Sequence, residues 1–303
     1  SYLFLNRKNT PLEKLLWRIV SDGSERFDTH FDLAVSYIEG GSAYYVHDHV
    51  SAAKKAAFIH VDYVQAGYTR RLDKDCYVDF DRIFAVSDET AGVLAGVYPE
   101  CQQKLSVFHT LIDTEAIRQK ALLPAEKSMH EGIRLLTVGR LTPQKGFDCA
   151  VYALKLLLEK QYPVYWYIIG EGPEYGRLTQ LARSLHVEDH FIFLGMQTNP
   201  YPYFKMADFY IHATRFEGKS IAIQEAQVLG CAIAASDCSG NREQIVSGVD
   251  GLLCPFSPEG IANAVEYLIE HPQTAESFGR EAAQKACHFE NDIHMIRDLL
   301  YSP

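Results

Sequence analysis

Short apolar runs recur along the chain, each followed by a polar or glycine-bearing turn and then by apolar residues at helical spacing. The runs at 33–37, 56–59, 83–86 and 105–108 have the length and β-branched or aromatic content of strands. After Leu122-Leu123-Pro124 comes a polar stretch, 125–131, and then a second series opens. Its apolar runs fall at 133–138, 164–169, 191–194, 209–212, 233–236 and 251–253. Segments 147–160, 175–185 and 261–269 lie between or after them with apolar positions at helical spacing. Strand–helix alternation of this kind predicts an α/β fold, with parallel sheets covered on both faces. The pattern predicts two doubly wound, Rossmann-like domains, the first over 1–126 and the second over 127–288. Two such halves facing each other place a ligand cleft at the carboxyl ends of their strands. The first half shows about four strands, where a complete sheet of this type has roughly five to seven. That domain is therefore expected to be incomplete, its front truncated or supplied by a missing segment or a partner chain.

Composition narrows the function classes. A chain of 303 residues with 47% hydrophobic positions can build two cores. A formal charge of -10 speaks against a general nucleic-acid binder, which would carry a basic surface. No apolar run approaches the roughly 18–20 residues of a membrane span, and no signal-peptide pattern opens the chain. The expectation is a cytoplasmic protein. Leu12, Leu15, Leu16 and Ile19, with Lys14 and Arg18 between them, form an amphipathic stretch. It reads as a helix packed on its own domain, with peripheral contact at the inner face of a membrane as the alternative. The seven cysteines are odd in number, scattered and without a C-x-x-C pair, as expected for reduced thiols. His47 and His49 stand two apart, which on a helix separates them, and no H-E-x-x-H occurs, so no metal site is expected.

Candidate chemistry concentrates in the second half. In 216–226, Glu217 and Glu225 stand eight apart across a turn, Gly218-Lys219, that runs into a helix-like segment at Ser220. Free N–H groups at that helix start would face an anion, and Glu225, about one turn inside, could accept hydroxyl hydrogen bonds. A ligand with both phosphate and sugar hydroxyls fits, as a nucleotide-sugar does. Strand 133–138 ends in Gly139-Arg140-Leu141-Thr142-Pro143-Gln144-Lys145-Gly146, where Arg140 and Lys145 leave one strand end together. They could neutralise a diphosphate or simply be solvated surface cations. Strand 164–169 ends in Gly170-Glu171-Gly172-Pro173, and the third glycine of a dinucleotide fingerprint is missing because Tyr175 occupies its place. An NAD-dependent dehydrogenase is disfavoured on that ground. At Gly195-Met196-Gln197 another strand end offers backbone groups to a base. Asp73/Asp75 and Asp79/Asp81 have Asp-x-Asp spacing but precede a strand, as solvated turn carboxylates do.

Three segments carry a resemblance: 139–146 as G-R-L-x-x-x-K-G, the Glu217-x7-Glu225 element, and 236–243. Together they resemble the retaining glycosyltransferases of family 4, enzymes of the two-domain GT-B fold, over about 130–290 and more weakly over 30–125. Phe216-Glu217-Gly218-Lys219-Ser220 is similar to members that build bacterial cell-surface polysaccharides. The resemblance implies that Arg140 and Lys145 grip the donor diphosphate, that Glu225 takes the ribose hydroxyls and that Glu217 lies by the transferred sugar. It further implies that the amides of Gly218, Lys219, Ser220 and Ile221 reach phosphate and sugar, and that His60, ending a strand, contacts the sugar from the first domain. His212, inside its strand, reads as structural. His109 stands where the family has asparagine, and the tail, 289–303, is expected to cross back onto the first domain. The implied reaction is metal-independent transfer, with retention, from a uridine diphosphate sugar to a glycan or lipid-linked acceptor, with no cofactor. A sugar-nucleotide-binding module without catalysis and a related GT-B phosphorylase or epimerase are the alternatives.

Overall fold

In the computed structural model, residue 17 and residues 21–109, 112–286 and 292–301 are described. The chain divides into two compact units, one of residues 1–111 with 290–303 and one of residues 112–289.

The first unit holds β1 (His30–Ser36), α1 (Gly41–His49), β2 (Ser51–Ile59), β3 (Arg82–Ala85), α2 (Asp88–Val97) and β4 (Leu105–Val107). Its strands pair in parallel in the order β1-β2-β3-β4. Ser87 caps α2 by accepting from the Thr90 N–H, and Asp88 and Glu89 favour its positive end. One sheet face buries Ala57, Ile59 and Ile83 with Tyr44, Tyr63, Tyr77 and Tyr98. The other buries Phe58, Phe84 and Phe108 against Leu299 of the C-terminal helix Ile293–Tyr301. The amphipathic tail thus belongs to this unit. The 12–20 stretch, Trp17 apart, lies outside the described residues.

The second unit runs α3 (Thr114–Lys120), β5 (Ile133–Val138), α4 (Phe147–Glu159), β6 (Val164–Ile169), α5 (Tyr175–Ser184), β7 (Phe191–Gly195), α6 (Tyr201–Met206) and β8 (Phe209–His212). It continues with α7 (Ile221–Val228), β9 (Ala232–Ser236), α8 (Ser239–Gln244), β10 (Leu252–Cys254), α9 (Pro258–Glu270) and α10 (Pro272–Ala286). The unit begins before the polar stretch at 125–131, because Ile117 of α3 is buried against Val228 and Ala286. The six strands are parallel in the order β10-β9-β8-β5-β6-β7. Strand alternation sends Trp166 and Ile168 to one face, under Leu154, Leu157 and Val265, and Tyr167 and Ile169 to the other, with Tyr203, Phe204 and Ile223. The order reverses between β5 and β8, which pair through Leu135 with Phe209 and Leu136 with Tyr210. A sheet of this kind binds ligands outside its carboxyl ends at that reversal.

All ten apolar runs predicted as strands are strands in these two sheets. Most of the histidine and Asp-x-Asp side chains weighed from sequence have local partners. The His47 ring bonds Asp48 at 2.6 Å and Asp79 at 2.7 Å, and Asp81 accepts from the Lys55 amide at 2.7 Å. Asp75 is paired with Arg70, and Asp73 takes the hydroxyls of Tyr44 and Tyr63. Among the described residues, no group of three or more His, Cys, Asp or Glu could hold a metal ion, and no helix is long and apolar enough to cross a membrane. Cys76, Cys101, Cys149, Cys231, Cys238 and Cys254 are free thiols, and Cys287 lies outside the described residues.

The strand ends of the second sheet meet backbone to backbone. Gly170 has φ +141°, and a Cβ there would stand 2.0 Å from the Gly139 carbonyl oxygen. Gly176, at the start of α5, has open space around it. Gly170→Ala is therefore expected to destabilise the chain by roughly 2–4 kcal/mol, from strain and overpacking combined. Gly176→Ala should be neutral or stabilising by up to about 1 kcal/mol. Urea unfolding midpoints of the two variants check the difference.

Candidate active site

Two loops that leave adjacent parallel strands build the centre of the site. The first, 139–146, follows β5 and ends in a 3-10 turn, Pro143–Lys145. The second, 213–220, follows β8. The Arg215 amide donates to the Gln144 carbonyl at 2.8 Å, and the Gln144 side-chain amide donates to the Phe216 carbonyl at 2.9 Å. These bonds lay the loops side by side and bring the Lys145 ammonium onto Glu217 Oε2. Both side chains are well shielded, 17% and 13% exposed. Behind them, a Cβ on Gly240 at the start of α8 would fall 2.4 Å from the Glu217 carbonyl oxygen, so only glycine allows this packing.

His212 closes the cluster from below. Its ring is 2% exposed, and Nε2 lies 3.5 Å from Glu217 Oε2 with no hydrogen-bond partner. Tyr210 Oη lies 3.2 Å from Nδ1. Burial pushes the Tyr210 pKa far up, so its hydroxyl stays a donor. The same hydroxyl reaches the Val138 carbonyl at 3.5 Å, and Nε2 is the ring nitrogen left facing the carboxylate. Burial, joined by the Lys145 charge, pushes the His212 pKa down against the pull of Glu217, which favours the neutral ring. For Glu217 burial alone would raise the pKa, but His212 and Lys145 together hold it at about 2.

The second glutamate occupies different surroundings. Ser220 caps α7 by accepting from the Ile223 N–H at 3.4 Å, and Glu225 follows one turn into that helix. Glu225 Oε1 accepts the Tyr201 hydroxyl at 3.0 Å. Burial raises the Glu225 pKa and this bond only partly offsets it, while Tyr201 itself is pushed up to about 12. The carboxylate is thus short of donors. The start of the helix is clasped by Gln244, whose side chain accepts from the Ser220 N–H at 2.7 Å and donates to the Ser220 carbonyl at 2.9 Å. Ser220's amide is therefore taken. The Gly218, Ile221 and Ala222 amides make no hydrogen bond among the described residues, and Lys219 stands between them in the turn.

Apart from His60, the remaining expected residues lie along the same sheet edge. The Arg140 side chain is exposed, with no ion pair or hydrogen bond among the described residues. Gly170 and Gly195 line a cavity of about 540 Å³ with Gly172, Tyr175, Phe193 and Leu194. Met196 is exposed just beyond it, and the Gln197 side chain donates to the Leu194 carbonyl at 2.9 Å. His60 belongs to the first unit, immediately after β2. There its amide donates to Glu39 Oε2 at 3.0 Å and its ring lies between Tyr37 and Phe58. Sequence reasoning missed Tyr201, Gln244 and the nearness of His212 to Glu217. A glutamate, a histidine and a lysine spread over strand-end positions were the available signal, but their convergence depends on sheet order.

A family profile, "Glycosyl transferases group 1", matches residues 118–285. Among curated proteins, the chain is 29% identical over 200 residues to the N-acetylgalactosamine-N,N'-diacetylbacillosaminyl-diphospho-undecaprenol 4-alpha-N-acetylgalactosaminyltransferase of Campylobacter jejuni, covering 65% of this chain and 53% of that one. It is 28% identical over 175 residues to the amylovoran biosynthesis glycosyltransferase AmsK of Erwinia amylovora, covering 55% and 41%. The chain thus spans about half the length of these relatives. Among solved structures, Anabaena HepE in complex with UDP-glucose superposes with a TM-score of 0.74 at 17% identity, over 96% of this chain and 83% of that one. That likeness identifies the fold as the GT-B arrangement of two Rossmann-like parallel-sheet domains.

The Glu217 cluster gives the acid stability of the chain a signature. A carboxyl held near 2 in the folded state, against its ordinary 4.5, adds stability that is complete above 4.5 and is lost as pH falls from there towards 2. Lys145→Met raises the folded value and should flatten this loss. Urea unfolding at a series of pH values between 6 and about 2.5 should therefore show a smaller fall for the variant than for the wild type.

Proposed function

The chain belongs to the group 1 glycosyl transferases, and on that premise we propose that it transfers a sugar, with retention, from a UDP-sugar to a glycan or lipid-linked acceptor. The observation that carries this reading is the assembly at one sheet edge of two cations, two carboxylates in unlike surroundings, and unbonded amides at a helix start. A leaving nucleoside diphosphate gathers negative charge. Arg140, Lys145 and the amides of Gly218, Ile221 and Ala222 are suited to stabilise it. Glu225, short of donors, is suited to ribose hydroxyls, and the cavity beside Gly195 to the base. Glu217 serves the transferred sugar, the role that the resemblance to family 4 also gives to His60.

Retention follows the resemblance to family 4. In the front-face route, the acceptor oxygen bonds the anomeric carbon as the bond to the β-phosphate oxygen breaks, and the acceptor proton passes to that departing oxygen. The UDP-glucose bound by Anabaena HepE supports uridine diphosphate as the carrier. The names of the Campylobacter and Erwinia relatives support a lipid-linked or polysaccharide acceptor. An acceptor of the first kind would bring the protein to a membrane surface from the cytoplasm. Cationic side chains and amides do here the work a divalent ion does elsewhere, so no metal is needed.

A thermal-shift panel of nucleotide-sugars should single out a UDP-sugar that raises the melting temperature by linkage. With that donor, Glu225→Ala and Lys145→Ala should each weaken binding about 10- to 100-fold, the equivalent of one or two charge-assisted hydrogen bonds. Glu217→Ala should cost rate more than affinity. Absence of any nucleotide effect on melting would sink the reading, and equal losses at both glutamates would contradict the division of roles. Turnover should also survive excess EDTA, and restoration of lost turnover by added magnesium or manganese would refute metal independence.

A further inference from the structure

Lys145 and Glu217, both assigned above to the donor, spend their charges on each other in this structure. A diphosphate that takes the Lys145 ammonium competes for it with Glu217 Oε2. A shielded carboxylate would then lose its cation, a strongly unfavourable state unless another donor takes over. One stands ready: His212 Nε2 is 3.5 Å from the same oxygen, buried and without a hydrogen-bond partner. Building on the donor-site reading, we propose that His212 is a positioning residue that receives the Glu217 carboxylate when Lys145 moves to the phosphates of a nucleoside diphosphate.

The groups around the ring make the exchange consistent. Lys145 faces it from the loop after β5, Glu217 from the loop after β8 and Tyr210 from its own strand. The neighbouring Ser236 hydroxyl serves the backbone carbonyls of Thr214 and His212. Cys238 lies near Glu217 and is a half-buried thiol, its pKa raised chiefly by that burial. Among the described residues, Lys145 is thus the positive charge acting on the ring, and Glu217 the negative one. Withdrawing Lys145 leaves the carboxylate alone with the imidazole. With the Lys145 repulsion gone, the pull of Glu217 works against burial alone, and the ring takes a proton from solvent to pair with Glu217 as an imidazolium. Binding of the nucleotide and protonation of His212 are coupled.

UDP itself is the probe, titrated calorimetrically near neutral pH in PIPES and in Tris, whose ionisation enthalpies differ. Wild type should take up more protons per UDP bound than His212→Gln, which keeps an N–H donor but cannot ionise. His212→Leu, with no donor, should bind UDP about tenfold more weakly, the effect of one hydrogen bond to a charged group, and His212→Gln should recover most of that loss. Equal proton uptake by wild type and His212→Gln overturns the proposal, as does wild-type affinity in His212→Leu. Should His212→Leu fail to show a folded thermal transition, the proton balance of His212→Gln decides alone. No binding of UDP or UDP-sugars to wild type would instead overturn the donor-site reading and this inference with it.

Discussion

A carboxylate that is 13% exposed at a strand end must have partners, and Glu217 finds them on a segment 72 residues away. Removing such a charge from water costs on the order of several kcal/mol unless the pairing is good. The pairing here is possible because β5 and β8 are neighbours in a parallel sheet, so both chains leave through the same edge. Once side by side, the two loops exchange backbone and side-chain hydrogen bonds through Gln144, Arg215 and Phe216. The loops, the cation and the carboxylate hold one another. Everything else at the edge is arranged around that tie: Gly240 admits α8 behind it, and Ser220 starts α7 beyond it.

This dependence explains what sequence could and could not reveal. Strand and helix periods are local, so the ten apolar runs and the alternation that implies parallel sheets were legible in the residues alone. Glu217, Glu225, Arg140 and Lys145 were legible too, because each leaves a strand or starts a helix within its own segment. The partners were not. Tyr201 meets Glu225 across 24 positions, and Gln244 meets Ser220 across another 24. His212 looked like an interior histidine, which it is by burial, and only the return of the loop after β8 brings Glu217 back over it. The unit boundary moved for a similar reason. The 125–131 stretch is polar, but Ile117 upstream of it is buried against Val228 and Ala286, contacts made across more than a hundred residues.

The start of α7 shows how a tertiary contact edits an anion site. A free helix end offers its first amides to any acceptor. Gln244 mimics a backbone strand edge by both giving to and taking from Ser220, which removes one amide from service and fixes the direction of the turn. Its own carbonyl is held by Gln227 at 2.8 Å and by Lys285 of α10 at 2.7 Å, and Lys285 is anchored on Asp250. The rigidity of the turn therefore comes from the far side of α7. Such preorganisation is what electrostatic stabilisation of a leaving group requires, since nothing must be reoriented as charge develops.

The Lys145–Glu217 pair also bears on which ligands the site can favour. In the proposed function, an inorganic phosphate could compete for the ammonium, but Glu217 would then have only His212, and no ligand hydroxyl, in its place. A nucleotide-sugar offers phosphates to Lys145 and hydroxyls to Glu217 in one molecule, replacing both halves of the broken pair. Glu225 pulls in the same direction, since burial raises its pKa and only hydroxyl donors beyond Tyr201 relieve it. A ligand that binds only one of these groups meets the cost of the other. Selectivity for a sugar joined to a diphosphate then rests on the expense of leaving two half-buried carboxylates short of donors, more than on any single strong contact.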